Sequence, residues 1–560
     1  MPSTSHHQSI AAYFLHQVRN RPERPAIHVK RDGQYRSTSW GVLARDVALF
    51  AGVFSKLGVG RGDRVLQLSE NRYEWIVTDL ALQFCRAIHV PVHAPLSPPQ
   101  VEYQLRHSGA SVAIASDAAQ AGKLALSDAD LLAGTCVLTY DASDILVGGA
   151  CPQTKTMAQY AETLEPTAIP DLLTDELDDI MPEAVATIIY TSGTTGEPKG
   201  VMLSNENLRS NASMTAQVFG EMPNDLRLSF LPLSHIFART CDLYTWVVTG
   251  SELALAESRD TVVANAQELQ PTLLNGVPYF FDRLQRHLES RGQGEVAGSL
   301  QRMLGGKMRA CCSGGAALHN HTFDFFVAQK VPLLQGYGLT ETSPVVSFAP
   351  LDCVRRGTAG CALPGVEIRL ATDDEILIRG PNVMLGFWRD ESATNDVILD
   401  GWFHSGDLGR IDSDGFLTIT GRKKELIVTA TGKNVAPVLI ESLICRDPIV
   451  EQAMVIGDDR KFLTALIVVN LETLTQELDD SNQFDDSSDT FDLGHPAVMA
   501  LVARRINDQL TSLAPYEQVG RFTLLEEPFT IEAGHLTPKM SLRRGVIARD
   551  FEELINAMYE

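Results

Sequence analysis

Short apolar runs recur along the first two-thirds of the chain, separated by amphipathic stretches. Arg64–Leu68 (RVLQL), His89–Val92 (HVPV) and Ser111–Ala115 (SVAIA) have the length of buried strands, and Tyr73–Cys85 between them carries helical spacing. This alternation covers about residues 10–180 and resumes after residue 200, with strands predicted at Arg227–Phe230, Thr272–Asn275 and Val331–Gln335. Strands alternating with helices predict a largely parallel, layered α/β sheet. Over residues 353–420 the character changes to short runs rich in Gly and Asp, with Asp412-Ser413-Asp414-Gly415 reading as a hairpin turn. That stretch predicts antiparallel β structure at the edge of the large domain.

A second, smaller α+β unit is expected from Gly421 onward, dividing the chain into 1–420 and 421–560. Lys424–Thr429 and Ala453–Gly457 are predicted strands, and Pro437–Cys445 and Ala497–Leu513 predicted helices. Residues 471–495 hold eight acidic residues and no Lys or Arg, which predicts a solvated, mobile surface loop.

At 560 residues and 44% hydrophobic, the chain is long and apolar enough for at least two cored domains. Its net charge of −23 speaks against a general nucleic-acid binder and against long-range attraction to an anionic membrane. The longest apolar runs, such as Ala465–Val469, fall far short of the ~20 residues that span a bilayer, and the N-terminus lacks the pattern of a signal peptide. Nine cysteines without a CxxC pair predict reduced thiols and a cytoplasmic location. His319-Asn320-His321 has no Cys or carboxylate partners at zinc spacing and reads as structural.

The most informative stretch is Ile188–Ser204 (IIYTSGTTGEPKGVMLS), where an apolar run feeds into Gly, Thr and Ser followed by Lys199. Glycines let the backbone curl around a ligand, and N–H groups and hydroxyls donate to phosphate oxygens. The spacing from Gly193 to Lys199 is not that of a Walker A loop. This segment resembles the phosphate-binding signature of the adenylate-forming superfamily of acyl-CoA synthetases, luciferases and peptide-synthetase adenylation domains. Leu231–His235 (LPLSH), Gln335–Thr342 (QGYGLTET), Gly401–Gly409 (GWFHSGDLG) and Gly421–Pro437 (GRKKELIVTATGKNVAP) resemble its further motifs, in the family's order, so the likeness runs over almost the whole chain. Phe237–Thr240 (FART), Pro278–Leu284 (PYFFDRL) and Phe462–Val469 (FLTALIVV) are most similar to bacterial long-chain fatty acid:CoA ligases.

The resemblance implies an α/β fold. Its parts are a large N-terminal layered α/β domain with a distorted β edge and a smaller mobile C-terminal domain hinged near Lys424. It also implies ATP- and Mg²⁺-dependent activation of a medium- or long-chain fatty acid to acyl-AMP, then thioester formation with coenzyme A. Thr191, Ser192, Gly193, Thr194, Thr195, Gly196 and Lys199 would grip the β,γ-phosphates. Thr340 would contact the α-phosphate, Glu341 would hold Mg²⁺, and Tyr337, with Gly314 and Gly315, would bound the adenine. Asp407 and Arg422 would take the ribose, and His235 would gate the carboxylate site. Before the resemblance is considered, Glu341 also reads as a first-turn helix residue and Asp407 as a turn residue. Phe280 and Phe281 read as core.

One position departs from the family. Long-chain members carry a Lys where Leu536–Arg544 (LTPKMSLRR) has Ser541, and Lys539 stands two residues earlier. Residues i and i+2 of an extended segment share a side, so Lys539 is taken as the catalytic lysine. Two alternatives follow from Ser541. One is a fatty acyl-AMP ligase handing its product to an acyl carrier protein; the other is a catalytically impaired acyl- or nucleotide-binding relative. A fatty substrate can still bring the chain transiently to a membrane.

Overall fold

The computed structural model describes residues 9–142, 155–164, 180–191, 197–430, 433–480, 493–511, 513–530, 533–536 and 542–560. Two large sheets dominate the N-terminal part. One has eight strands, with a parallel centre built from Arg64–Ser69, Ile88–His93, Val112–Ala115, Cys136–Thr139 and Val185–Thr191. Lys199–Ser204 and Gly386–Phe387 close its edge in antiparallel fashion. The other has nine strands, with a parallel run through Pro25–Arg31, Glu252–Leu255, Leu226–Ser229, Leu273–Gly276, Ala310–Ser313 and Leu333–Gly338. Each predicted strand in this region is present within two residues of its predicted start. The hydrophobic runs are fully buried on both faces, as parallel strands covered by helices require. Residues 353–420 form the expected antiparallel edge, and the turn at Asp412–Gly415 joins Trp402–Ile411 to Leu417–Arg422.

Apolar side chains from Ile10 to Leu417 form one core, joined by a smaller cluster under the eight-stranded sheet. Separate clusters run from Ile427 to Val519 and from Met454 to Met558, around the three strands Val450–Ile456, Leu463–Val469 and Val519–Leu525. The chain is therefore a large α/β domain followed by a smaller α+β domain.

Two predicted elements differ. Lys424–Thr429 is not one strand: Lys423–Glu425 is a 3-10 turn and Ile427–Val428 a two-residue strand. Arg422, Lys423 and Lys424 are exposed there, and of the apolar trio Leu426–Val428 only Ile427 is buried. The acidic stretch begins not as a loop but as the helix Leu471–Asp480, because Leu474 and Leu478, four residues apart, are both buried in the small core. Residues 481–492 of that stretch lie outside the described residues.

A buried polar network joins the two large sheets. The Asp79 carboxylate, on helix Tyr73–Phe84, takes hydrogen bonds from Arg239, from His89 Nδ1 at 2.8 Å and from the Tyr244 hydroxyl at 3.3 Å. Burial, reinforced by Arg239, pushes the His89 imidazole down to about 4, against the pull of Asp79. In the unfolded chain a His accepts its proton near pH 6.5. His89 therefore contributes stability that is complete above pH 6.5 and is lost as pH falls toward 4. Between pH 6.5 and 5 this amounts to roughly 2 kcal/mol. Urea midpoints of wild type are expected to fall more steeply over that window than those of His89→Gln; parallel slopes would refute the assignment.

Candidate active site

The ends of neighbouring strands converge on one cavity. Ala310–Ser313 delivers Gly314 and Gly315, and the adjacent parallel strand Leu333–Gly338 delivers Tyr337 before turning into Thr340–Thr342. Carboxyl ends of parallel strands are where α/β sheets bind ligands. His235, at the start of the short helix Ile236–Ala238, completes the ring of residues around a cavity of about 350 Å³. Close packing dictates two of the glycines. A Cβ on Gly338 would collide with the Pro344 carbonyl, and one on Gly314 would come within 2.9 Å of the Phe237 ring. Thr340 is buried beneath, and Thr240 donates to the Ser343 carbonyl at 2.9 Å, tying the FART segment to the turn that carries Thr340 and Glu341.

Asp407 and Arg422 face each other across the antiparallel hairpin. The Arg422 guanidinium lies 2.7 Å from Asp407 Oδ1, and the Tyr337 hydroxyl donates to Oδ2 at 2.7 Å. Burial raises the Asp407 pKa, while Arg422 and Tyr337 oppose that rise. Arg422 also feels the charge of Glu341, so Tyr337, Glu341, Asp407 and Arg422 share one electrostatic neighbourhood. Among the described residues Arg422 is the cation that pairs with Asp407, and each carboxylate oxygen, engaged by Arg422 or Tyr337, keeps a further lone pair to accept another donor.

The rest of the cavity is mostly apolar, walled by Phe219, Phe230, Phe280 and Phe348. Phe280 lines it whereas Phe281 is wholly buried, so the expectation of core holds for Phe281 and fails for Phe280. Periodicity puts the two on different faces of the helix but cannot say which face meets the cavity. Sequence reasoning also missed a buried charged group along the cavity wall. Arg227 approaches Asp242 at 3.6 Å and bonds Glu221, while Ser229 and Asn275 donate to Asp242 at 2.8 and 2.6 Å. Burial raises Asp242 to about 6 despite Arg227.

The remaining expected residues are placed as follows. Thr191 and Lys199 are opposite one another in the ladder that ends the strand Val185–Thr191. Lys199 Nζ lies 3.8 Å from Asp390 and 5.0 Å from the centre of the Phe387 ring. Ser192, Gly193, Thr194, Thr195 and Gly196 lie outside the described residues, as do Lys539 and Ser541. Their flanks are described: Leu536 bridges Leu542, the Arg543 amide donates to the His535 carbonyl at 2.7 Å, and Arg544 grips Glu441 with two bonds of 2.7 and 2.6 Å. Lys424 is exposed on the turn between the large and small cores. One dismissal is corrected: His319 and His321 do have a carboxylate partner, Asp282, supplied by a distant helix that local spacing could not reveal.

The cavity at the parallel strand ends thus has a glycine-lined end beside Tyr337, whose hydroxyl reaches the buried Asp407, and an aromatic wall. The chain belongs to the AMP-binding enzyme family: residues 14–388 match the model of that name, and residues 424–560 match the AMP-binding enzyme C-terminal domain. Within the family it is an acid–thiol ligase with acyl-CoA synthetase activity. It is 30% identical to the long-chain-fatty-acid–CoA ligase FadD15 of Mycobacterium bovis over 99% of this chain and 97% of that protein. It is 27% identical to the long-chain-fatty-acid–CoA ligase ACSBG2 of Gallus gallus over 95% of this chain and 79% of that one. The fold is that of ATP-bound MatB from Rhodopseudomonas palustris, with a TM-score of 0.78, 23% identity, and coverage of 98% of this chain and 99% of that chain.

Proposed function

We propose that this chain uses ATP to activate a medium- or long-chain fatty acid and transfers the acyl group to coenzyme A. A carboxylate oxygen of the acid attacks the α-phosphorus of ATP, the bond to pyrophosphate breaks, and acyl-AMP forms. The coenzyme A thiolate then attacks the acyl carbon and AMP leaves. The observation that carries this reading is the joining, in one cavity, of a glycine and Tyr337 end with a largely aromatic wall.

In this reading Asp407 accepts both ribose hydroxyls while Arg422 and Tyr337 hold its oxygens in place. Gly314 and Gly315 let the adenine approach, and the Tyr337 ring bounds it. Thr340 donates to the α-phosphate, and Thr191 with Ser192–Gly196 and Lys199 surrounds the departing phosphates. His235 stands where the fatty carboxylate enters. Mg²⁺ fits Glu341, a hard oxygen donor on the turn beside Thr340, since this cation commonly takes one or two carboxylates plus phosphate oxygens. When bound it would neutralise phosphate charge. The small domain, from residue 421, turns about Lys424 between the two half-reactions.

Replacing Asp407 by Asn removes the charge from two hydrogen bonds and leaves Arg422 facing a neutral group. Charge-assisted bonds contribute about 1.5–3 kcal/mol, so kcat/KM for ATP is expected to fall about tenfold to a hundredfold. Most of the loss should appear in KM for ATP, not in KM for the acid; an unchanged ATP dependence would remove Asp407 from the ribose site.

The function is tested with a panel of short to long saturated fatty acids and ATP, with and without coenzyme A, following pyrophosphate, acyl-AMP and acyl-CoA together. Acyl-CoA that depends on coenzyme A is expected. The Ser541 position favours a second reading, an acyl-AMP-forming enzyme that serves a carrier protein. Accumulating acyl-AMP, unaffected by coenzyme A but consumed by acyl carrier protein, would decide for it.

A further inference from the structure

The structure assigns to Asp282, His319 and His321 a site for a borderline divalent cation of the zinc type, outside the active-site cavity. One donor atom from each residue lies within 4.8 Å of the other two. Zinc binds imidazole nitrogen and carboxylate oxygen at about 2.0–2.2 Å in tetrahedral geometry, which sets neighbouring ligands about 3.4 Å apart. The three groups therefore need to draw in by about 1.4 Å at most, within reach of side-chain rotation.

Three further observations support the assignment. First, the Nδ1 atoms of both His319 and His321 are buried and make no hydrogen bond among the described residues, His319 Nδ1 having only the 3.4 Å approach of Asp282 Oδ2. A buried imidazole normally fixes its tautomer with a bond from each nitrogen, and a cation would satisfy both orphans at once. Second, the carboxylate is already oriented. The Thr322 hydroxyl donates to Asp282 Oδ1, leaving Oδ2 3.4 Å from His319 Nδ1. Ligating carboxylates are typically held in this way by a neighbouring donor. Third, the donor set is two imidazoles and one carboxylate with a position left open, a set that suits zinc, cobalt or nickel and disfavours calcium or magnesium. His319 is partly exposed, which gives the ion a way in. Arg286 and Arg446 act on His321 electrostatically and weaken the site without occupying it.

The place of the site suggests what it does. Asp282 lies on helix Pro278–Ser290, whose first turn carries Tyr279 and Phe280 of the cavity wall. His319 and His321 stand at the start of helix Asn320–Ala328, shortly after Gly314 and Gly315. An ion there would staple together the two helices that follow the aromatic and glycine sides of the cavity.

The test is metal binding by the full chain, stripped with chelator and then titrated with Zn²⁺ against a chromogenic competitor, with Co²⁺ as a spectroscopic probe. One Zn²⁺ per chain is expected, with Co²⁺ bands of a low-coordinate nitrogen and oxygen site. His319→Ala and Asp282→Asn should each weaken binding at least tenfold, and His319→Ala/His321→Ala should abolish it. Circular dichroism and ATP binding, retained in each variant, would separate ligand loss from unfolding. Absence of a one-to-one site in wild type, or binding that survives in the double variant, would overturn the assignment.

Discussion

Lys539→Ala is expected to lower the rate of acyl-AMP formation about 10²–10³-fold while conversion of preformed acyl-AMP to the thioester stays near wild type. The size is that of losing one preorganised donor to developing transition-state charge. The asymmetry follows from the chemistry: in the first half-reaction a carboxylate must approach a polyphosphate, and a cation between them offsets the repulsion. Two other basic residues that the resemblance places at the nucleotide already face carboxylates, Arg422 with Asp407 and Lys199 with Asp390. Leu536 and Leu542 are bridged, and the following Arg544 is locked to Glu441. Lys539 is thus three residues from either bridged position, while Ser541 directly precedes one. Parallel assays on Lys539→Ala, Ser541→Lys and the double variant check the role of Lys539. Rescue of a silent wild type by Ser541→Lys would show that the chain lacks its adenylating lysine.

Where a motif of consecutive residues is described throughout, it is one strand end with its turn, which local sequence can encode. YGLTET is a strand running into a 3-10 turn, so Tyr337 and Thr340 line the cavity together and Glu341 follows on the same turn. Asp407 and Arg422 were readable for the same reason, being partners across a single hairpin. What stayed hidden depends on contacts between distant segments. Asp282 meets His319 across 37 residues, and no local spacing encodes that. Leu474 and Leu478 are two apolar residues among eight acidic ones, and only the small core they pack into makes that stretch begin as a helix. Phe280 and Phe281 differ only in the side of a helix they occupy, which the position of the neighbouring sheet decides.

Arg239 belongs to the same hidden class. In the sequence it is one letter of FART, a family likeness without a stated role; in the fold it is the wholly buried cation that answers Asp79, with Thr187 as a further partner at 2.7 Å. Asp79, His89 and Thr187 belong to the eight-stranded sheet and the helix on it, whereas Arg239 follows a strand of the nine-stranded sheet. The pair therefore ties the two halves of the large domain at the segment that carries His235 and Thr240. Arg239→Leu would leave the Asp79 carboxylate buried without a cation, an arrangement that costs about 3–5 kcal/mol. Asp79 is expected to respond by taking up a proton, so the loss should shrink as the pH of the unfolding experiment is lowered toward 5. The double variant Arg239→Leu/Asp79→Leu removes both charges and should recover most of the loss, because a desolvated ion pair is often replaceable by packed apolar side chains. Denaturant unfolding of the four proteins of this cycle gives the coupling energy. Additive single effects would mean that the arginine and the aspartate stabilise the domain independently. Strong coupling, with activity lost in both single variants and regained in part by the double, would show that the His235–Thr240 segment is held in its working place by the buried pair.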